Sequence, residues 1–205
     1  MKKISFLLFF ILFSLFSLRA QSDQSALNIL TKAVNAISNS KGVVANFTIY
    51  NSGYSGNGEI KTLGNKFKVS FPDVSVWYNG TDLYTYNSKT NETTLIHPTA
   101  EELAESNPLA YVTGASKNYN VSFSTVKKAG KEVLELTPKK KKGIKRITLT
   151  LNKSNYYPEK IVVEPSSGSP VTAEIKTFNT MASISSAEFD YPKSKYPKVE
   201  IVDLR

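Results

Sequence analysis

From Val43 onward the apolar residues change from helical to alternate spacing, and this constrains the fold more than any other feature. Val43, Ala45, Phe47 and Ile49 alternate with Val44, Asn46, Thr48 and Tyr50. A period of two marks a strand with two unlike faces. The same period recurs in short runs almost to the end of the chain. Runs 59–63 and 66–71 flank Gly64-Asn65, and runs 74–78 and 83–86 flank Asn79-Gly80. Both dipeptides are hairpin signals. The stretch 54–58, with Gly56 and Gly58, reads as a turn. Further strands are predicted over 93–96, 119–126, 131–137, 144–152, 157–164, 171–178, 187–191 and 199–203. No βαβ rhythm is present, so the sheet is antiparallel with helices grouped against it. A sheet this large curls into a barrel or half-barrel.

Two segments keep a helical period. Over 22–41, Ala26, Leu27, Leu30, Ala33, Val34 and Ile37 form one apolar stripe. Ser22 or Ser25 suits the start and Gly42 the stop. The stripe either packs the helix onto a core or makes it a lid over one. The insertion 98–113 opens with Thr99-Ala100-Glu101-Glu102, a capping box. Its helix should end near Ser106, and Asn107-Pro108 restarts a turn that carries Leu109, Tyr111 and Val112.

The first 20 residues read as a cleavable export signal. Lys2 and Lys3 precede an apolar run, Ile4 to Leu18, broken only by Ser5, Ser14 and Ser17, and Leu18-Arg19-Ala20 ends it. The run is short for a membrane span. Residues 21–205 then form one domain. Three of the 26 basic residues leave with the signal, so 23 face 17 acidic ones and the net charge is +6.

Composition excludes several chemistries. With no Cys there are no disulfides, thiol nucleophiles, thiolate metal sites or lipid-bearing N-terminal Cys. One His, His97, excludes multi-histidine metal sites and reads as a surface or structural residue. Phosphate-loop and dinucleotide fingerprints are missing, and Gly53-Tyr54-Ser55-Gly56 is one residue short of a nucleophile elbow. No catalytic residue, metal or cofactor is expected, and an exported chain of modest charge is not a nucleic-acid binder. The run Lys139–Lys142 with Lys145 and Arg146 reads as a solvated hairpin tip that discourages edge pairing, or as an attractor of anionic headgroups or an acidic partner.

Aromatic residues are in surplus. Trp77 faces opposite to Val76 and Tyr78, and Tyr84 and Tyr86 face opposite to Leu83. One-sided burial needs only one of these sets. Either tyrosines remain outside a filled core, or an apolar concavity holds acyl chains under the helix 22–41 and the insertion 98–113.

The order of short motifs resembles the LolA-like family of periplasmic lipoprotein carriers. The matching stretches are Ala45-Asn-Phe-Thr48, Gly58-Glu-Ile60, the run Val76 to Asn87, Asn107-Pro-Leu109, the run Leu134 to Lys139, Ile147-Thr-Leu149 and Ala187-Glu-Phe189. The resemblance implies an unclosed antiparallel β-barrel, a strongly curved sheet with an α-helical lid, mainly β in class (α+β). It implies a non-enzymatic, monomeric periplasmic chaperone that binds lipoprotein acyl chains in a hydrophobic cavity. Its partners would be an inner-membrane ABC-type lipoprotein-releasing transporter and an outer-membrane acceptor. The Arg that latches the lid in such carriers has no counterpart in Lys61-Thr-Leu-Gly-Asn-Lys66; Lys61 or Lys66 could substitute, without the planar donor fork.

The lining candidates are Phe47, Ile49, Ile60, Phe67, Val69, Trp77, Leu83, Tyr84, Tyr86, Leu109 and Tyr111. Both strand faces appear among them because alternation alone does not say which is concave. The rival readings are a periplasmic binder of another lipid, a structural β-domain with a filled core, and a secreted hydrolase built on His97 or paired carboxylates.

Overall fold

The computed structural model describes residues 23–140 and 143–205. The export-signal segment 1–20 lies outside the described residues. Helix α1 spans 23–38 and is followed by six strands: β1 (Val43–Asn51), β2 (Tyr54–Leu63), β3 (Lys66–Ser70), β4 (Val74–Tyr78), β5 (Leu83–Asn87) and β6 (Glu92–Ile96). The insertion forms α2 (Ala100–Ser106), α3 (Ala110–Thr113) and α4 (Ala115–Asn118). The second strand series is β7 (Tyr119–Phe123), β8 (Lys131–Pro138), β9 (Ile144–Asn152), β10 (Pro158–Pro165) and β11 (Val171–Asn179), and β12 (Glu200–Asp203) ends the chain.

All twelve strands form one sheet in the order β12-β6-β5-β4-β3-β2-β1-β11-β10-β9-β8-β7. The order does not return on itself, so the barrel is unclosed, with β12 and β7 as its edges. The mainly β fold read from the sequence is the fold observed. Among the described residues, every pairing between these strands is antiparallel except β12 on β6, because the last strand arrives by a crossover and not by a hairpin.

The capping box forms as its chemistry dictates. Glu102 N–H donates to Thr99 Oγ1 at 3.3 Å, and Thr99 N–H donates to Glu102 Oε2 at 2.7 Å. The turns at Gly64 and Gly80 have φ of 60° and 106°, the left-handed region that glycine enters at little cost.

Two expectations fail for physical reasons. Residues 54–58 are strand, and the chain turns at Ser52-Gly53 instead. Gly58 serves packing: a Cβ there would lie 2.8 Å from the Phe47 ring and 2.9 Å from that of Phe71. A glycine that admits an aromatic ring looks like a turn glycine in sequence. Residues 187–191 are not a strand either. Ser186–Phe189 is a 3₁₀ turn, capped by Ser185 Oγ accepting from Ala187 N–H. There the chain crosses the sheet face, and a single turn puts Phe189, fully buried, and Tyr191, 8% exposed, against it.

Candidate functional site

Directly paired residues in adjacent strands share a face, so the register shows how one apolar surface is built. Leu134, Leu149, Ile161, Ala173 and Ile49 form one row across β8, β9, β10, β11 and β1. Ala45, Ile60, Val69 and Val76 continue across β1 to β4. Phe67, Tyr78, Leu83 and Ile96 make a third row to β6. This inner face curves around α1, whose Ala26, Leu30 and Ala33 are fully buried and whose Ile37 is 7% exposed. Leu109, Val112 and Ala115 close it from the insertion.

Of the sequence candidates, Phe47, Ile49, Ile60, Phe67, Val69, Leu83, Leu109 and Tyr111 belong to this inner cluster. Phe47 meets Phe71 edge to face at 5.5 Å, and Phe67 lies 5.4 Å from Tyr78. Burial, with smaller contributions from Tyr119 and Glu105, pushes the Tyr111 phenol up to about 12, so it stays neutral among the apolar groups. The candidate set omits the second half of the face: Leu134, Leu136, Ile147, Leu149, Leu151 and Ile161, all at most 1% exposed. Alternation in 131–137 and 144–152 carried the signal for all but Ile161, which lies in the predicted strand 157–164.

Trp77, Tyr84 and Tyr86 stand apart from the inner cluster. Trp77 pairs in register with Lys68 and Tyr84, and Tyr86 with Ser75 and Thr93, all on the outer face. Trp77 is only 2% exposed because residues 182–199 strap that face. Tyr191 meets Trp77 edge to face at 5.4 Å and stacks on Tyr84 at 4.9 Å. Tyr196 reaches Tyr86 at 4.5 Å. A buried hydrogen bond of 3.0 Å joins the Thr93 and Tyr191 hydroxyls. Aromatic groups on both faces thus serve two apolar layers, one under α1 and one under the strap.

Lys61 and Lys66, considered as latch residues, hold the strap and not α1. Lys61 Nζ lies 2.8 Å from Glu188 Oε2, and Lys66 Nζ donates to Ser186 Oγ at 2.7 Å. A polar link from α1 to the β9–β10 turn comes from its own Lys32, which donates to Tyr156 Oη at 3.1 Å with its ammonium 4.7 Å from that ring's centroid. Tyr156 has φ 60°, a left-handed conformation uncommon outside glycine.

The hydrogen bond from Lys61 holds the Glu188 carboxyl below its ordinary range. A depressed carboxyl stabilises the fold above its unfolded pKa and loses that contribution as pH falls through the folded one. Acidification below about pH 4.5 is therefore expected to loosen the strap before the sheet. Hydrogen exchange would show this as faster exchange at 186–199 in the wild type, with Glu188→Gln already loose at neutral pH. Uniform exchange across strap and sheet would refute it.

His97 Nδ1 lies 3.1 Å from Asp82 Oδ1, and Arg205 lies 3.5 Å from the same oxygen. Among the described residues, no group of three His, Cys, Asp and Glu side chains is placed to hold a metal ion. Part of the basic run is structural. Lys139 Nζ donates to the Ser116 and Lys117 carbonyls at the end of α4, and Arg146 clasps Glu164 at 2.7 and 2.8 Å.

The fold recurs in solved structures. An uncharacterized conserved protein from Thermus thermophilus matches with a TM-score of 0.62 at 14% identity, over 87% of this chain and 99% of that one. A putative outer membrane lipoprotein-sorting protein domain from Vibrio parahaemolyticus matches with a TM-score of 0.50 at 13% identity, over 86% of this chain and all of that one. A DUF1329 family protein from Desulfovibrio piger matches with a TM-score of 0.51 at 13% identity, over 83% and 98%. At such identities the likeness is one of fold. Curated proteins give no match by sequence.

The sequence supplies the family. The family described as outer membrane lipoprotein carrier protein LolA matches residues 14–166, about three quarters of the chain. The protein belongs to this LolA family.

Proposed function

We propose that residues 21–205 act as a single-domain, monomeric periplasmic carrier that shields lipoprotein acyl chains against the inner face and moves them from the inner to the outer membrane. The observation that carries this reading is the apolar inner face, which runs in sheet order from β8 through β1 to β6 and is capped by a helix. Binding and release are non-covalent: α1 leaves the face, the chains take its place, and its return expels them. Each buried CH₂ contributes about 0.8 kcal/mol, so two or three chains hold firmly without polar anchors. Cargo would come from an ABC-type transporter in the inner membrane and pass to an acceptor in the outer membrane. Family membership and the export signal read from residues 1–20 support this reading.

The test is native mass spectrometry, with lipid extraction, of protein purified from the periplasm. Acylated peptide or lipid at fixed stoichiometry is the expected result. Bound phospholipid alone would make the protein a binder of another lipid. A clean apo mass, with no uptake of a fluorescent fatty acid or lipopeptide, would refute the carrier. One observation favours a structural β-domain instead: the α1 stripe already fills the inner face, with Ala26, Leu30 and Ala33 fully buried.

A further inference from the structure

Over β8 to β11, away from the strap, the sheet carries a recess of about 490 Å³ whose charged wall is on the outer side and whose lining also includes Ile175 and Phe178 of the inner cluster. It sits over two irregularities in pairing. The register shifts between Pro158 and Lys160 in β10, and β11 gains Lys176 where β1 passes from Asn46 to Phe47. A bulge adds a residue without a cross-strand partner and re-aims the side chains beside it. Here the added residues are Glu159 and Lys176, so two more charged groups join Lys160 and Glu174 on the outer side. Lys131 of β8 and Lys128 of the preceding loop complete the wall.

The charges do not balance. Glu159 accepts from Lys131 and, at 3.0 Å, from Asn152 Nδ2. Glu174 is shared by Lys160 at 3.2 Å and Lys176 at 3.0 Å. Lys128 acts on Glu159 through space, beyond the hydrogen bond that Lys131 makes. Hydrogen bonds from Lys176 and Lys160 hold Glu174 below its ordinary range. Burial pushes the Glu159 carboxyl up, but its bonds to Lys131 and Asn152 outweigh that and bring it below its ordinary range. Both carboxyls are therefore ionised at neutral pH, and four ammonium groups face two carboxylates. Shared carboxylates leave each lysine with N–H groups to spare, and a lysine is a good point-charge partner for phosphate.

We propose that this recess binds a phosphate group, the excess of two positive charges matching a phosphate dianion and the spare lysine N–H groups reaching its oxygens. The phosphate belongs either to a soluble ester or to a phospholipid headgroup at a membrane surface. The lysines and glutamates of the recess are outside the inner apolar cluster, so the site stands or falls independently of the carrier reading.

The experiment is an amide NMR titration of the purified protein with inorganic phosphate and with pyrophosphate, at matched ionic strength. Saturable shifts confined to 128–131, 150–160 and 174–177, with millimolar affinity, are expected. Lys128→Ala with Lys160→Ala should weaken binding by about tenfold or more while the melting curve is kept. If that pair perturbs folding, Lys160→Gln alone retains the stem and removes the charge. Sedimentation with phosphatidylglycerol against phosphatidylcholine vesicles separates the sources. Anionic-vesicle binding that needs the same lysines assigns the headgroup; phosphate binding without vesicle binding assigns a soluble ester. Shifts that are unsaturable, spread over the surface or unchanged in the variants overturn the site.

Discussion

Leu30→Ala is expected to lower stability by about 2–5 kcal/mol and at the same time to tighten the binding of an acyl probe. Leu30 is fully buried, central in the α1 stripe, and packed on the inner face. Truncating it removes transfer energy and leaves a cavity that the surrounding strands fill only in part. In the carrier reading, α1 and the cargo chains compete for one surface. A substitution that weakens the closed state alone raises the fraction of open molecules, and apparent affinity rises with that fraction. Every 1.4 kcal/mol lost from the closed state alone is about tenfold in affinity. Denaturant unfolding and a fluorescence titration with an acyl probe measure the two effects separately. A stability loss with affinity unchanged or weakened would show that α1 is a permanent part of the core.

Trp77→Ala should do the reverse: a large stability loss, about 3–5 kcal/mol, with no change in acyl binding per folded molecule. The sequence reading places Trp77 among the lining candidates, but the register puts it on the outer face with Lys68 and Tyr84. Its ring is covered by Tyr191 at 5.4 Å and Tyr196 at 6.0 Å, and Lys68 Nζ lies 5.7 Å from its centroid. Removing it unseats the strap, so the expected companion effect is faster hydrogen exchange over 186–199. Thermal melting and a probe titration well below the melt are the required pair. A drop in probe affinity with the strap still protected would return Trp77 to the lining.

Predictions of this kind depend on what alternation can and cannot say. The mainly β class, the hairpins at Gly64 and Gly80, the capping box at Thr99 and the helix that precedes β1 are all legible, because each rests on neighbours in the chain. A period of two separates the faces of a strand, and a glycine in a two-residue turn has a local reason to be there. The order of short motifs, from Ala45-Asn-Phe-Thr48 onward, was legible as a family resemblance on the same local evidence.

What the chain does between distant segments was not legible. Gly58 reads as a turn residue until the Phe47 and Phe71 rings are seen above it. Residues 187–191 read as a strand until Phe189 and Tyr191 are seen pressed against the outer face. The same ignorance split the candidate site. Phe47, Ile60, Phe67 and Leu83 fall on the face that α1 covers, while Trp77, Tyr84 and Tyr86 fall on the face that the strap covers. Sequence alone determined that this protein is a meander of two-faced strands with a helix at its head. Only the tertiary structure decided which face closes over the helix. The sign of a sheet's curvature comes from the packing of segments far apart in the chain, and no local period records it.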